Sequence, residues 1–376
     1  MGRIRLLYFV ASFEQGGAER QVAELVASLP RDRFEAHLAV CNPRDDLGYA
    51  LPLASRVDLR SPRGPDARTF ARLALHVRAL RPDIVHAWHD PQNSYARLAV
   101  RLARSGAAIG SLRSTELPRR TLRRERLTHR LGGALVVNSA GIRDELARAG
   151  IARERVDVVE NGVDGDRFRP LGEGARARAR ERFGMEGRTL VVPARIAVQK
   201  NQLAVVRAVA ELRARGRFPA DARVLLAGRV EAHSRYAYLV DAAIRLLGVA
   251  DVVRRVPPVA NAEHLLAAAD AVLLPSRWEG LPNVVLESLA CGTPALVSPR
   301  ANADALVGDG ETGFVRDGAG AGDVARALER FFAADRGALV RMGARGRDAT
   351  LARFSVRRMV EATCAIYERV RAGSAP

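Results

Sequence analysis

Residues 275 to 299 read PSRWEGLPNVVLESLACGTPALVSP. Two carboxylates, Glu279 and Glu287, stand eight positions apart within this stretch. The first falls in a turn that carries Gly280, Leu281 and Pro282. The second falls in NVVLESLAC, an apolar run of helical character. Proline has its φ preset and no N–H to lose, so Pro282 suits the start of that helix. Gly292 suits its end, and Pro294 bars its continuation. The first amides of a helix have no partner inside it and carry the positive end of its dipole, so this start, at Asn283 and Val284, can hold phosphate. Asn283 and Glu287, four apart, share a face. The stretch therefore predicts a loop acid, a phosphate-ready helix end and a second acid one turn in.

Composition limits what surrounds it. At roughly 100–200 residues per domain, the 376 residues suffice for two, and 48% of them are apolar. Cys41, Cys291 and Cys364 are odd in number and lack metal-ligand spacing, which predicts reduced, buried thiols and a cytoplasmic setting. Ile4 to Val10 is too short for the apolar part of a signal peptide and reads as a strand. No apolar run approaches the ~18 residues needed to span a bilayer. The expectation is a soluble protein, or one at the inner face of a membrane. The net charge of +18 invites a nucleic-acid reading. Yet 59 of the 60 basic residues are arginine, spread along the chain, and aromatics make up only 5%. Stacking platforms are scarce, and no nucleic-acid partner is expected.

Along the first half, strand and helix patterns alternate. Ile4 to Val10 is a strand, followed by Gly16-Gly17 and the helical run AERQVAELVASL. Glycine allows backbone amides to approach a ligand closely, so this turn is a candidate phosphate or substrate cradle. Strands at Glu35 to Val40, Asp83 to His86, Ala107 to Ser111, Ala134 to Asn138 and Val156 to Val159 have helices between them, including 67–80 and 91–104. Such alternation implies a parallel sheet wound on both faces, with ligands at the carboxyl ends of its strands. His86 and His89 sit where the Asp83 strand is predicted to end, and either can bond a sugar hydroxyl or a leaving phosphate. Arg113 ends the next strand. PRRTLRRERLTHRL, residues 118–131, is a basic helix with Arg119, Arg123, Arg126 and Arg130 along one face. Two readings stand for it: a surface for anionic lipid, or a solvated arginine face. Asp164-Gly165-Asp166 spells a pattern that elsewhere binds a divalent ion, but it follows the turn signal Asn161-Gly162 and reads as a turn whose carboxylate bonds local amides. No metal and no cofactor are expected.

A second alternating series begins at Leu190. It runs through helix 201–214, strand 224–226, helix 234–247, strand 252–253, a helix near 262–269 and strand 271–274 into the opening stretch. Helices at 321–333 and 336–350 and a last one over 355–371 follow. Arg195 follows the Leu190 strand, and Lys200, the lone lysine, lies five positions later. A compact ammonium kept at one place in an arginine-rich chain suggests chemistry that a planar guanidinium would not do.

Several of these strings together resemble the family 4 retaining glycosyltransferases. The Glu279-to-Glu287 spacing, EGLPN and ACGTPAL match that family's motif; GGAER is similar to its N-terminal glycine loop, NGVD with the later F-x-P to its hinge, PARIAVQKN to its G-R-L-x-x-x-K-G segment, and residues 300–317 to its closing segment. Ala194 and Asn201 stand where the family has glycines, and Val230-Glu231 replaces the second glycine of its A-G-x-G turn. The resemblance implies two doubly wound Rossmann-like α/β domains facing across a cleft, the GT-B arrangement, with domains over 1–165 and 172–354 and the helix of 355–376 packing back on the first. It implies a nucleotide-sugar donor and a glycan or lipid-linked acceptor. Glu287 would take the ribose hydroxyls, and Arg195 and Lys200 the diphosphate. Gly16, Gly17, Asn283 and Val284 would add dipoles. Glu279, Gly280 and Leu281 would orient the donor sugar. His89 would touch that sugar, with His86 the alternative, and His86, Arg113, Arg119 and Arg123 would line the acceptor side. A GT-B epimerase, a phosphorylase and a basic nucleic-acid-binding protein are the rival readings; the nucleotide, sugar and acceptor stay open.

Overall fold

The computed structural model describes residues 2–13, 16–43, 48, 50–61, 66–259 and 261–373. The chain divides into two compact units, Met1–Gly162 with Val356–Pro376, and Val163–Ser355. The first unit thus stops short of residue 165, and the stretch between the expected domains belongs to the second.

Among the described residues, the first unit holds a seven-stranded sheet: β1 (Ile4–Val10), β2 (Phe34–Val40), β3 (Ser55–Asp58), β4 (Ile84–Trp88), β5 (Ala107–Leu112), β6 (Ala134–Val137) and β7 (Val156–Val158). Their order is β3-β2-β1-β4-β5-β6-β7, and every pairing is parallel. Helices α1 (Gly17–Ser28), α2 (Ala67–Leu80), α3 (Gln92–Ala103), α4 (Arg119–Thr128) and α5 (Ala140–Arg148) connect the strands. Continuous apolar runs such as Leu6 to Val10 follow from a sheet covered on both faces, and Leu6, Leu7, Tyr8 and Phe9 are all fully buried.

The second unit runs through α6 (Glu173–Phe183), β8 (Arg188–Pro193), α7 (Gln202–Ala214), β9 (Ala222–Ala227), α8 (Arg235–Leu246), β10 (Val253–Val256), α9 (Ala262–Ala268), β11 (Ala271–Leu274), α10 (Asn283–Ala290), β12 (Ala295–Val297), β13 (Gly313–Val315), α11 (Ala321–Ala333) and α12 (Arg336–Arg353). Its six strands are ordered β10-β9-β8-β11-β12-β13, again all parallel. The last helix, α13 (Val356–Gly373), belongs to the first unit. There Met359, Ile366, Tyr367 and Val370 pack with Ile4, Tyr8 and Val22 in one apolar cluster.

Two sequence expectations are corrected here. β4 continues to Trp88, so His86 lies inside its strand and not at the end. Its Nδ1 is 2.7 Å from the Tyr367 hydroxyl and its Nε2 2.8 Å from Ser111 Oγ. Both ring nitrogens are satisfied in the interior, so His86 is a core histidine and its acceptor-side reading is dropped. β10 starts one residue later and runs further than the expected 252–253. Strands β3, β12 and β13 come from segments whose sequence carried no strand expectation.

Candidate functional site

In the second sheet the strand order reverses between the neighbours β8 and β11. Connections leave such a point in opposite directions, and the loops at the carboxyl ends are where ligands gather. The loop after β8 carries Arg195 and Lys200; the loop after β11 carries Glu279. Lys200 Nζ lies 2.5 Å from Glu279 Oε1, and both side chains are largely buried, 17% and 9% exposed. The lone lysine and the first acid of the Glu279–Glu287 pair therefore meet. The two loops are knit together beneath them: Arg277 N donates to Gln199 O at 2.8 Å, and Gln199 Nε2 to Trp278 O at 2.9 Å.

Asn201, where the resemblance leads one to expect glycine, has φ 59° and ψ 34°. That left-handed geometry explains the usual glycine, and asparagine is the side chain that best tolerates it. Its amide also does work that glycine could not, donating to Pro275 O at 3.2 Å and Ala319 O at 2.7 Å. Gly228 is required for a different reason. A Cβ there would lie 2.1 Å from Ala194 O, so its missing side chain lets β9 close on the start of the Arg195 loop.

Arg195 is not part of the Lys200–Glu279 contact. Its Nη1 donates to Glu231 Oε1 at 2.5 Å across an exposed pair. In the sequence Glu231 stands out only as a departure from a glycine turn, and its charge, opposite in sign to Arg195, is the signal of the pair. α10 begins after Pro282 (φ −75°) and is closed by Gly292 at φ +72°. Glu279 and Glu287 are 8% and 6% exposed; Gly280, Leu281 and Pro282 are buried, while Asn283 and Val284 at the helix start are partly exposed. At the same edge of the sheet Arg316, directly after β13, is 4% exposed, and none of its guanidinium nitrogens has a hydrogen-bond partner. Burial pushes its pKa down to about 10, with Asp323 opposing. Nothing in the sequence singled it out.

In the first unit, Gly16 precedes α1, and the Glu19 carboxylate folds back on it: a Cβ at Gly16 would lie 1.9 Å from Glu19 Oε2. A phosphate arriving at this glycine pair meets that carboxylate. His89 follows β4 with φ +72° and is partly buried. Burial, then the nearby Arg113, pushes its pKa down to about 4, so its imidazole is neutral and able to hydrogen-bond. Arg113 rests on Trp88, its Cζ 4.1 Å from a ring centroid. Arg119, Arg123, Arg126 and Arg130 are all exposed, while the neighbouring Glu125 points inward to Arg97 Nη1 at 2.7 Å, a buried pair that the periodicity did not reveal. Asp164 Oδ1 accepts from Asp166 N at 2.9 Å and Arg167 N at 3.1 Å, so it is occupied as a turn residue. Cys41, Cys291 and Cys364 are free and buried.

Two parallel-sheet, Rossmann-like units in one chain are the architecture of the GT-B class of α/β fold. Solved structures agree over nearly the whole chain. HepE from Anabaena in complex with UDP-glucose superposes with a TM-score of 0.83 at 19% identity, over 98% of this chain and 100% of that one. A sucrose-phosphate synthase from Thermosynechococcus elongatus does so with a TM-score of 0.81 at 17% identity, over 99% and 100%. Residues 15–167 match the model of Glycosyltransferase Family 4, and residues 187–334 that of Glycosyl transferases group 1. The chain belongs to the family 4, group 1 glycosyltransferases. Among curated relatives, a D-inositol 3-phosphate glycosyltransferase from Rhodococcus jostii is 36% identical over 202 residues, 52% of this chain and 44% of that protein. One from Mycobacterium bovis is 28% identical over 305 residues, 76% and 62%. The chain thus spans about half the length of the curated relatives it matches.

Proposed function

We propose that the chain transfers a sugar from a nucleotide-sugar donor to a glycan or lipid-linked acceptor, with retention of anomeric configuration. The observation that carries this reading is the meeting of Lys200 with Glu279 at the reversal point of the second sheet. Lys200 spends one N–H on Glu279 and keeps the others for a diphosphate. Its charge counts most as negative charge builds on the leaving group, so it acts on turnover more than on binding. Arg195 is the second cation for that diphosphate. Its present partner, Glu231, is 61% exposed. Exposed pairs of this sort contribute ~0–1 kcal/mol, so a diphosphate displaces Glu231 at little cost. The start of α10 adds its dipole. Glu287, with its acceptor oxygens, suits the vicinal hydroxyls of ribose, and Glu279 with Gly280 and Leu281 orients the sugar. His89, as a neutral imidazole, donates or accepts a hydrogen bond from a sugar hydroxyl. No metal or cofactor enters this scheme.

The relatives are named for an inositol-phosphate acceptor and HepE is bound to UDP-glucose, which supports a UDP-sugar donor and a hydroxyl acceptor. The exposed arginine face of α4 favours contact with an anionic membrane, and no described helix is long and apolar enough to cross one. A screen of UDP-, GDP- and ADP-sugars by thermal shift tests the central claim. A ligand at a hundred times its Kd stabilises by ~2.7 kcal/mol. If no nucleotide sugar stabilises the protein, the reading fails. Co-sedimentation with phosphatidylglycerol vesicles that is unchanged when Arg119, Arg123, Arg126 and Arg130 become glutamine removes the membrane part.

A further inference from the structure

At the carboxyl ends of β4, β5, β6 and β7, a connected set of polar side chains is left incomplete. Arg113 lies against the Trp88 ring at 4.1 Å. Its Nη1 donates to Asn161 Oδ1 at 3.1 Å, and the same oxygen accepts from Asn138 Nδ2 at 3.3 Å. Trp88, Asn138 and Asn161 are 2%, 2% and 3% exposed. Three atoms of this set lack a hydrogen-bond partner: Arg113 Nε, Trp88 Nε1 and Asn138 Oδ1.

Arg113 is partly buried, and a guanidinium that loses water without gaining a counter-charge is costly to that extent. The indole face and Asn161 offset part of that loss, but no carboxylate pairs with Arg113 among the described residues. Arg97 provides the contrast within the same unit: fully buried, it carries its own carboxylate, Glu125, at 2.7 Å. The imidazoles beside Arg113 add no charge of either sign. Burial, reinforced by Arg113, pushes His86 down to about 3 and His89 to about 4. Arg113 itself, pushed down to about 9 by burial against an opposing Tyr367, stays charged at neutral pH. The set is therefore a lone cation with an unused Nε–H beside an unused amide oxygen. Its complement is an oxyanion, which a guanidinium matches in shape as well as charge, next to a hydroxyl that Asn138 Oδ1 can accept from.

We infer that Arg113, Trp88, Asn138 and Asn161 form a binding site for an anionic group, a phosphate ester or a carboxylate, carried by the acceptor. The inference rests on the proposed transferase reading. There Lys200 and Arg195 of the second unit take the donor's diphosphate, which leaves the first unit's cation for the other substrate. The acceptor is then an anionic polyol or sugar and not a neutral glycan.

The test saturates the protein with whichever of UDP, GDP or ADP stabilises it most, then titrates inorganic phosphate. Tryptophan emission is the readout, since Trp88 lies directly under Arg113, with thermal shift in parallel. Wild type should bind phosphate saturably. Arg113→Gln should weaken that binding at least tenfold and leave nucleotide stabilisation unchanged. Arg113→Lys, the safer variant for folding, should keep the charge and lose the fork, weakening phosphate several-fold. Phosphate affinity within twofold of wild type in both variants overturns the site. Nucleotide stabilisation lost together with phosphate binding makes the anion the donor's and overturns the acceptor assignment. Phosphate binding that depends on Arg113 in a protein that no nucleotide stabilises keeps the anion site and removes the transferase reading instead.

Discussion

Lys200 Nζ stands 2.5 Å from Glu279 Oε1, although 79 positions separate them in the chain. Each comes from a loop beside the point where the second sheet reverses its strand order. Lys200→Ala should lower turnover by ~10²-fold or more, the scale of one lost oxyanion-type donor. Glu279→Gln should also lower it, and the double variant should lose less than the two single losses combined, because the residues touch. Steady-state kinetics decide: turnover within twofold of wild type in Lys200→Ala removes the lysine from the chemistry.

Asn201 combines a left-handed backbone with two side-chain hydrogen bonds, so the two contributions can be separated. Asn201→Gly keeps the backbone and loses the bonds, at a cost of ~1 kcal/mol. Asn201→Val loses both and should cost at least ~1 kcal/mol more. Urea denaturation measures the difference, and equal stability of the two variants would mean that the φ of 59° is not a constraint.

His86 gives the fold an acid-sensitive core. Its pKa is near 6.5 unfolded and, by burial, falls to about 3 when folded. Between those values the unfolded chain binds the proton and the folded one does not, so stability is complete above pH ~6.5 and falls as the pH drops toward 3. The limiting slope for one such group is ~1.4 kcal/mol per pH unit. Melting temperature measured from pH 7 to pH 4 should fall less steeply in His86→Gln than in wild type; parallel curves would clear His86 of the effect.

The buried pair of Arg97 and Glu125 should be far more sensitive to breakage than to replacement. Glu125→Ala strands a buried guanidinium and should cost ~3–5 kcal/mol. Arg97→Met with Glu125→Leu removes both charges and should recover most of that. Chemical denaturation of the two variants reads the difference directly.

Arg316 has the opposite signature, a buried guanidinium with no partner to strand. Arg316→Met should leave the ligand-free protein as stable as wild type or raise its stability by up to ~1–3 kcal/mol. A loss of more than ~1 kcal/mol by calorimetry would show that the charge is satisfied in solution.

What could be read from the sequence was what is local. The turn, proline and glycine around Glu279 and Glu287 act within a few residues, so they delimit α10 closely. Continuous apolar runs marked β1 and β11 for the same reason. SRVD, which forms β3, is mostly exposed at a sheet edge and has no apolar pattern to betray it. His86 was misplaced because its fate is decided by Tyr367, 281 positions away. Arg195 was read by position alone, and its pairing with Glu231 needed the register of β8 on β9. Arg113 was noticed as a strand-end residue, but its seat on Trp88 is a matter of neighbouring strands and not of spacing.

The placement of α13 has a consequence for how the polypeptide is made. Val163–Ser355 is one uninterrupted segment, so it can close as soon as it leaves the ribosome. The earlier-synthesised strands must wait, because Tyr367, Ile366 and Val370, which cover one face of their sheet, are translated after that segment. Nascent chains would therefore mature back to front, with the first unit holding an uncovered apolar face that a holdase chaperone could recognise until α13 has been translated.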